Sequence, residues 1–173
     1  YLGYDMVKTF EELPSGRKDH LGLPDFAFLL TDTLLIFDNV SQKIKVVANA
    51  HVKSVSDRDI RSAYREATGK IERMIARLRR PLRKTAPKRR RSPIRFTPNM
   101  SKADFEKMVA RAQEYIKAGD IFQCVLSQRW ETNLQTPPFQ LYRALRVVNP
   151  SPYMYYLRLA GVELVGSSPE ILV

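Results

Sequence analysis

A chain of 173 residues suffices for one ordinary domain or parts of two, and 44% hydrophobic with 27% charged residues predicts a packed core. The single cysteine, Cys124, excludes an internal disulfide and any multi-cysteine metal site, and His20 and His51 stand too far apart in sequence to suggest zinc. No apolar run approaches the roughly 20 residues of a membrane span, and the formal charge of +11 is concentrated, with ten basic and no acidic residues between Arg77 and Arg95 and +1 left on the remainder.

The opening YLGYDMVKTFEELP has neither an initiator Met nor the basic-then-apolar order of a signal peptide. It reads as mid-domain sequence, so the expectation is a soluble cytoplasmic fragment cut at both ends, with open strand edges. Residues 1–25 are rich in turn formers and predict irregular chain with a short helix near Tyr4–Phe10. Three β-rich runs follow, Phe26–Leu30, Leu34–Asp38 and Ile44–Ala50, separated by polar turns as in an antiparallel meander. From Asp57 to about Arg80 the period changes: Ile60, Tyr64, Ala67, Ile71, Met74, Ile75 and Leu78 recur at helical spacing, and Pro81 ends the helix.

Residues 82–98 hold three prolines and the run KRRRSPIR. Clustered Arg and Lys release counterions on meeting phosphates, which would suit a nucleic-acid-binding module. Without interleaved aromatics, and set between prolines, the run reads in preference as a solvated linker. A second helix starts at Ser101, with Asp104 placed as in a capping box, and stops at Gly119. Ile121–Trp130 predicts a long strand, Pro137-Pro138 opens a third helix to Val148, and Tyr153–Leu159 and Val162–Val165 predict a hairpin turning at Ala160-Gly161.

Three stretches offer chemistry. In IFQCVLSQRW, alternation puts Phe122, Cys124 and Leu126 on one face and Gln123, Val125 and Ser127 on the other. Both faces are largely apolar, which predicts a buried strand, a Gln123 amide needing hydrogen-bond partners and a Cys124 that packs in the core. In NPSPYM, Pro150 and Pro152 fix φ and remove donors. The segment is either a stiff helix-to-strand connection or the wall of a pocket for a flat apolar ligand. In GSSPE, a small-residue turn precedes Glu170 between apolar stretches. A carboxyl in an apolar pocket has its pKa raised and becomes a general acid near neutrality; a solvent-facing or N-capping glutamate fits the same residues.

Taken together, Gly3-Tyr4-Asp5, Leu21–Asp25, Ile36–Asn39, AGDIFQ ending at Gln123, Leu126–Arg129, NPSPYM over 149–154 and GSSPE over 166–170 resemble the large subunits of anthranilate synthases, which are chorismate-utilising enzymes. The match runs over nearly the whole chain and is loose only around 57–98. The resemblance implies an α+β fold with antiparallel sheets in a sandwich and flanking helices. It divides the chain into part of an N-terminal region (1–81), a linker (82–98) and the start of a chorismate-binding catalytic region (99–173). It implies conversion of chorismate and ammonia to anthranilate and pyruvate, Mg2+ held by ligands beyond residue 173, a glutamine amidotransferase subunit (component II) as partner, and tryptophan as feedback inhibitor. Glu170 then matches the acid that protonates the departing C4 hydroxyl. Gln123 stands where water-adding relatives carry a lysine base, and Asn149, Pro150, Ser151, Pro152, Tyr153 and Met154 match the tryptophan-binding segment. The nearest alternative within the family is an aminodeoxychorismate synthase, which shares the glutamine; its marking lysine is expected beyond Val173. From another class, a basic nucleic-acid-binding module and a non-catalytic tryptophan-binding half stand as rivals.

Overall fold

The computed structural model of the chain describes residues 1–13, 19–82, 93–159 and 161–168. It divides into two compact units, Tyr1–Ala86 and Pro87–Val173. Helices alternate with antiparallel two-stranded ladders, an α+β arrangement.

In the first unit a 3-10 helix spans Tyr4–Thr9. Strands β1 (Thr33–Asp38) and β2 (Lys43–Ala48) pair antiparallel, with Thr33 opposite Ala48 and Asp38 opposite Lys43. Their turn is stapled by Asp38, whose carboxylate accepts from the Ser41 amide at 3.0 Å and from Lys45 Nζ at 2.7 Å. Helix α1 (Asp57–Leu78) packs on β2. Ser56 caps its N-terminus by accepting the Asp59 amide at 3.3 Å, which satisfies one of the four donors a helix start leaves open. Ala63 and Ala67, one turn apart, are buried, as small residues are where another element comes close. Lys70, a further turn on, reaches Asp32 Oδ2 at 2.6 Å and Glu66 Oε1 at 2.9 Å.

The first run of the expected meander forms no strand in this chain. Phe26 instead makes a single antiparallel bridge with Leu2, fixed by Gly3 N–H to Asp25 O at 2.6 Å and Ala27 N–H to Tyr1 O at 2.9 Å. Residues 27–32 lack ladder partners. An apolar run becomes a strand only when a neighbour takes its backbone donors and acceptors.

In the second unit β3 (Thr97–Pro98) pairs with β4 (Trp130–Glu131). Pro98 cannot donate to a ladder, which keeps this one short. Helix α2 (Lys102–Ala118) is capped by Ser101, which accepts the Asp104 amide at 3.1 Å while Asp104 Oδ2 accepts the Ser101 hydroxyl at 2.7 Å. The carboxylate thus closes on the hydroxyl rather than on the backbone amide of a full capping box. At the other end Gly119 takes φ 82°, with Gly119 N–H to Ile116 O at 3.1 Å and Asp120 N–H to Tyr115 O at 3.0 Å, the bond pair of a Schellman stop. Helix α3 (Pro138–Val148) packs on the hairpin of β5 (Tyr153–Leu159) and β6 (Val162–Ser168). The aromatic rings of Phe139, Tyr142 and Tyr156 join α3 to β5, with Phe139 edge-on to Tyr156 at 5.3 Å.

The long strand expected over Ile121–Trp130 is reduced to β4. Residues 121–129 are neither helix nor paired strand, with Phe122 93% and Val125 79% exposed. Gln123 and Cys124 are exposed too, which corrects the expectation of a buried amide and a core thiol. Burial on both faces requires partners, and of this run only Trp130 has one, opposite Pro98. Ala63, Ala67 and Leu159 are the buried apolar residues among those described. No described helix is long and apolar enough to cross a membrane.

Candidate functional site

The geometry converges on the mouth of the β5–β6 hairpin. The hairpin turns between Leu159 and Val162, which pair, and Gly161 takes φ 84°. Each step away from the turn then fixes a cross-strand partner: Tyr155 faces Gly166, Met154 faces Ser167 and Tyr153 faces Ser168. The NPSPYM segment and the GSS of GSSPE, 12 to 19 residues apart in sequence, therefore lie side by side. The small-residue stretch expected to be a turn is the end of β6. Glycine and serine are weak strand formers, and the ladder with β5 overrides that preference.

Gly166 is required by its partner. A Cβ at this position would overlap the ring and hydroxyl of Tyr155, so the tyrosine lies across the glycine in van der Waals contact. Counting outward from Ala160-Gly161 would have found this pair in the sequence; assigning the serines to a turn hid it.

Residues 149–152 precede β5 and join no ladder, yet they are tied to β6. Ser167 Oγ donates to Asn149 O at 2.9 Å. The Ser151 hydroxyl donates to Ser168 O and accepts the Tyr153 amide at 3.2 Å. One acceptor of the Asn149 carbonyl is thus taken from within the chain, where the sequence suggested a fixed carbonyl free for a ligand. Ser151 and Met154 are half-buried, whereas Tyr153 is 44% exposed, leaving an aromatic and a thioether at the strand start with Pro150 and Pro152 exposed beside them. Deeper in the hairpin, Glu163 accepts from the Tyr156 hydroxyl at 2.6 Å and from Arg158 Nε at 3.1 Å.

Of the two residues expected to be catalytic, Glu170 lies outside the described residues, and Gln123 is an exposed side chain without a hydrogen bond. The contacts that sequence reasoning passed over are those of Ser167 and Tyr155; the cross-strand register was the signal that could have found them. Two concavities lie elsewhere: one of about 540 Å³ against Ile60, Arg61, Tyr64 and Arg65 of α1, and one of about 150 Å³ at the β1–β2 turn. Among the described residues no three His, Cys, Asp or Glu side chains gather to hold a metal ion. The described residues therefore do not fit a magnesium site.

Comparison with known proteins bears on the whole chain. The family model for chorismate binding enzymes matches residues 1–173. The anthranilate synthase component 1 of Acetivibrio thermocellus is 42% identical over all of this chain and 35% of its own length; that of Thermus thermophilus is also 42% identical, over all of this chain and 35% of its own. The crystal structure of anthranilate synthase component I from Streptococcus pneumoniae TIGR4 superposes with a TM-score of 0.78 at 34% identity, covering 98% of this chain and 38% of that one. The chain spans about a third of the length of the curated relatives it matches. With a match from its first residue to its last, and hairpins and helices that superpose on a solved relative, the chain belongs to the chorismate binding enzyme family.

Proposed function

We propose that this chain is part of an anthranilate synthase component 1, the lyase that makes anthranilate and pyruvate from chorismate and ammonia in aromatic amino-acid biosynthesis. The observation that carries the reading is the similarity, over the whole of this chain, to bacterial relatives of that name. In this reading ammonia, supplied by a glutamine amidotransferase partner, adds at ring C2 while the C4 hydroxyl departs as water; loss of pyruvate then restores the aromatic ring. The hydroxyl is a poor leaving group until protonated. In this reading Glu170 is the acid for that step; the role calls for an apolar setting, which disfavours a carboxyl's charged form and keeps its proton on near neutrality. Gln123 is neutral at every working pH and cannot draw a proton from water, so ammonia, already nucleophilic, wins the ring carbon. Tyr153 and Met154, beside the rigid Pro150–Pro152 backbone, offer an indole an apolar wall, in keeping with inhibition by tryptophan. Magnesium and a cytoplasmic setting belong to this proposal.

The test is a chimera in which this chain replaces the matching third of the Acetivibrio thermocellus enzyme. With chorismate, magnesium and ammonium salt it is expected to form fluorescent anthranilate. Glu170→Gln should lower the rate at least about a hundredfold, and Gln123→Lys should divert product toward hydroxylated rings. A folded chimera that makes aminodeoxychorismate, or no product, overturns the assignment. The 173-residue chain alone is expected to make none.

A further inference from the structure

We infer that the first unit carries a self-complementary surface through which two copies of this chain associate, the Phe10–Leu13 segment of each seated on the face of α1 formed by residues 58–65 of the other. Arg58, Arg61 and Arg65 are exposed and share one stripe of the helix, where residues three and four apart are neighbours. Like charges at that spacing repel, and Arg58 lies in the first turn, where the helix dipole favours anions instead. Carboxylates of the same helix offset little of this: Glu66 is held by Lys70, Asp59 accepts the Ser54 hydroxyl, and Thr68 and Gly69 stand one turn beyond Arg65. None of the three arginines forms an ion pair among the described residues. Beside the stripe Tyr64 is 67% and Ile60 44% exposed, and the concavity of about 540 Å³ lies against Ile60, Arg61, Tyr64 and Arg65.

The counterpart stands at the end of the 3-10 helix. Phe10, Glu11, Glu12 and Leu13 are all exposed, Phe10 by 76%, and the Phe10 and Glu11 amides are tied back to Val7 O at 3.0 and 2.9 Å. Neither glutamate forms an ion pair among the described residues. Carboxylates between an aromatic and an aliphatic side chain match arginines beside a phenol and an isoleucine. A guanidinium takes a carboxylate through two parallel bonds, and Tyr and Arg are the side chains on which interfaces concentrate their energy. Both patches belong to the first unit, yet no hydrogen bond or ion pair among the described residues joins them within one chain. Each therefore finds its complement on a second copy, and a twofold arrangement makes the contact twice. Outside 77–95 the formal charge is +1, so repulsion between copies is confined to that stretch.

Sedimentation equilibrium of the 173-residue chain tests this. Wild type should form dimers, and raising salt from about 0.05 to 0.5 M should weaken them, because exposed ion pairs are screened. Reversing the helix charges with Arg61→Glu and Arg65→Glu, or the segment charges with Glu11→Arg and Glu12→Arg, should each weaken self-association at least about tenfold. Mixing the two doubly reversed chains should restore association between them, which a variant that had merely failed to fold cannot do. Tyr64→Ala should weaken the dimer at every salt concentration. A wild-type chain that stays monomeric overturns the inference. So does association that salt strengthens and the reversals leave unchanged, as contact between other apolar faces would give, and so does association that Glu11→Arg and Glu12→Arg raise, as bridging by a nucleic acid would give.

Discussion

The two units use one plan, an antiparallel hairpin with a helix laid against it, and hold it together differently. In the first, ion pairs recur: Lys70 of α1 reaches Asp32 just before β1 and Glu66 within the helix, and Asp38 binds Lys45 within the hairpin. In the second, α3 meets β5–β6 through the rings of Phe139, Tyr142 and Tyr156, with serine hydroxyls locking the hairpin mouth. Solvated charges tolerate drift, since Coulomb attraction in water has little directional preference and salt weakens it. Rings in edge contact and hydroxyl bonds need definite geometry. The unit built for position is the one that carries NPSPYM and the approach to Glu170.

The contrast is broken most strongly at Gly166. Gly166→Ala forces the Tyr155 ring aside and should destabilise the second unit by about 1–3 kcal/mol, seen as a lower denaturant midpoint. Tyr155→Ala in the same chain should recover part of the loss, and a double-mutant cycle measures the coupling. Next in size is Ser56→Ala, which removes the α1 cap and should cost the first unit about 1 kcal/mol without touching exchange in β6. Removing the Tyr156 hydroxyl with Phe leaves the rings and takes one of the two hydrogen bonds from Glu163, a loss on the order of 0.5–1 kcal/mol.

The smallest effect sharpens the comparison through pH and salt. Lys45 foremost, then Ser41, holds the Asp38 carboxyl well below the usual carboxylate range, and Lys70 foremost lowers Asp32. Groups depressed in this way contribute stability that is complete above their unfolded pKa of about 4 and is lost as pH falls through the folded value. Protection of β1–β2 amides should therefore weaken as pH drops below about 4, and Asp38→Asn should flatten that response. One molar salt should weaken the first unit modestly, as expected of exposed pairs, while the exchange of 166–168 stays level.

The sequence was most readable where structure is local. Helical periodicity, with Ser56, Ser101 and Gly119 as punctuation, placed all three helices to within a residue or two, and the turns at 39–42 and Ala160-Gly161 placed both hairpins. It was least readable where pairing is distant. Phe26–Leu30 and Ile121–Arg129 carry strand-like patterns, but a pattern cannot supply the neighbour that completes it. The site divided in the same way. Residues 149–154 could be singled out by their prolines and aromatics, whereas the bonds from Ser151 and Ser167 depend on a register that only the folded hairpin displays.

Cys124 is the one thiol in the chain, and it stands in water beside Gln123 on the unpaired stretch. A maleimide dye will therefore mark a single, known place without mutagenesis. Because that place sits in chain without a ladder partner, its fluorescence anisotropy should climb when a polypeptide that pairs with it is added, making the stretch a gauge of assembly.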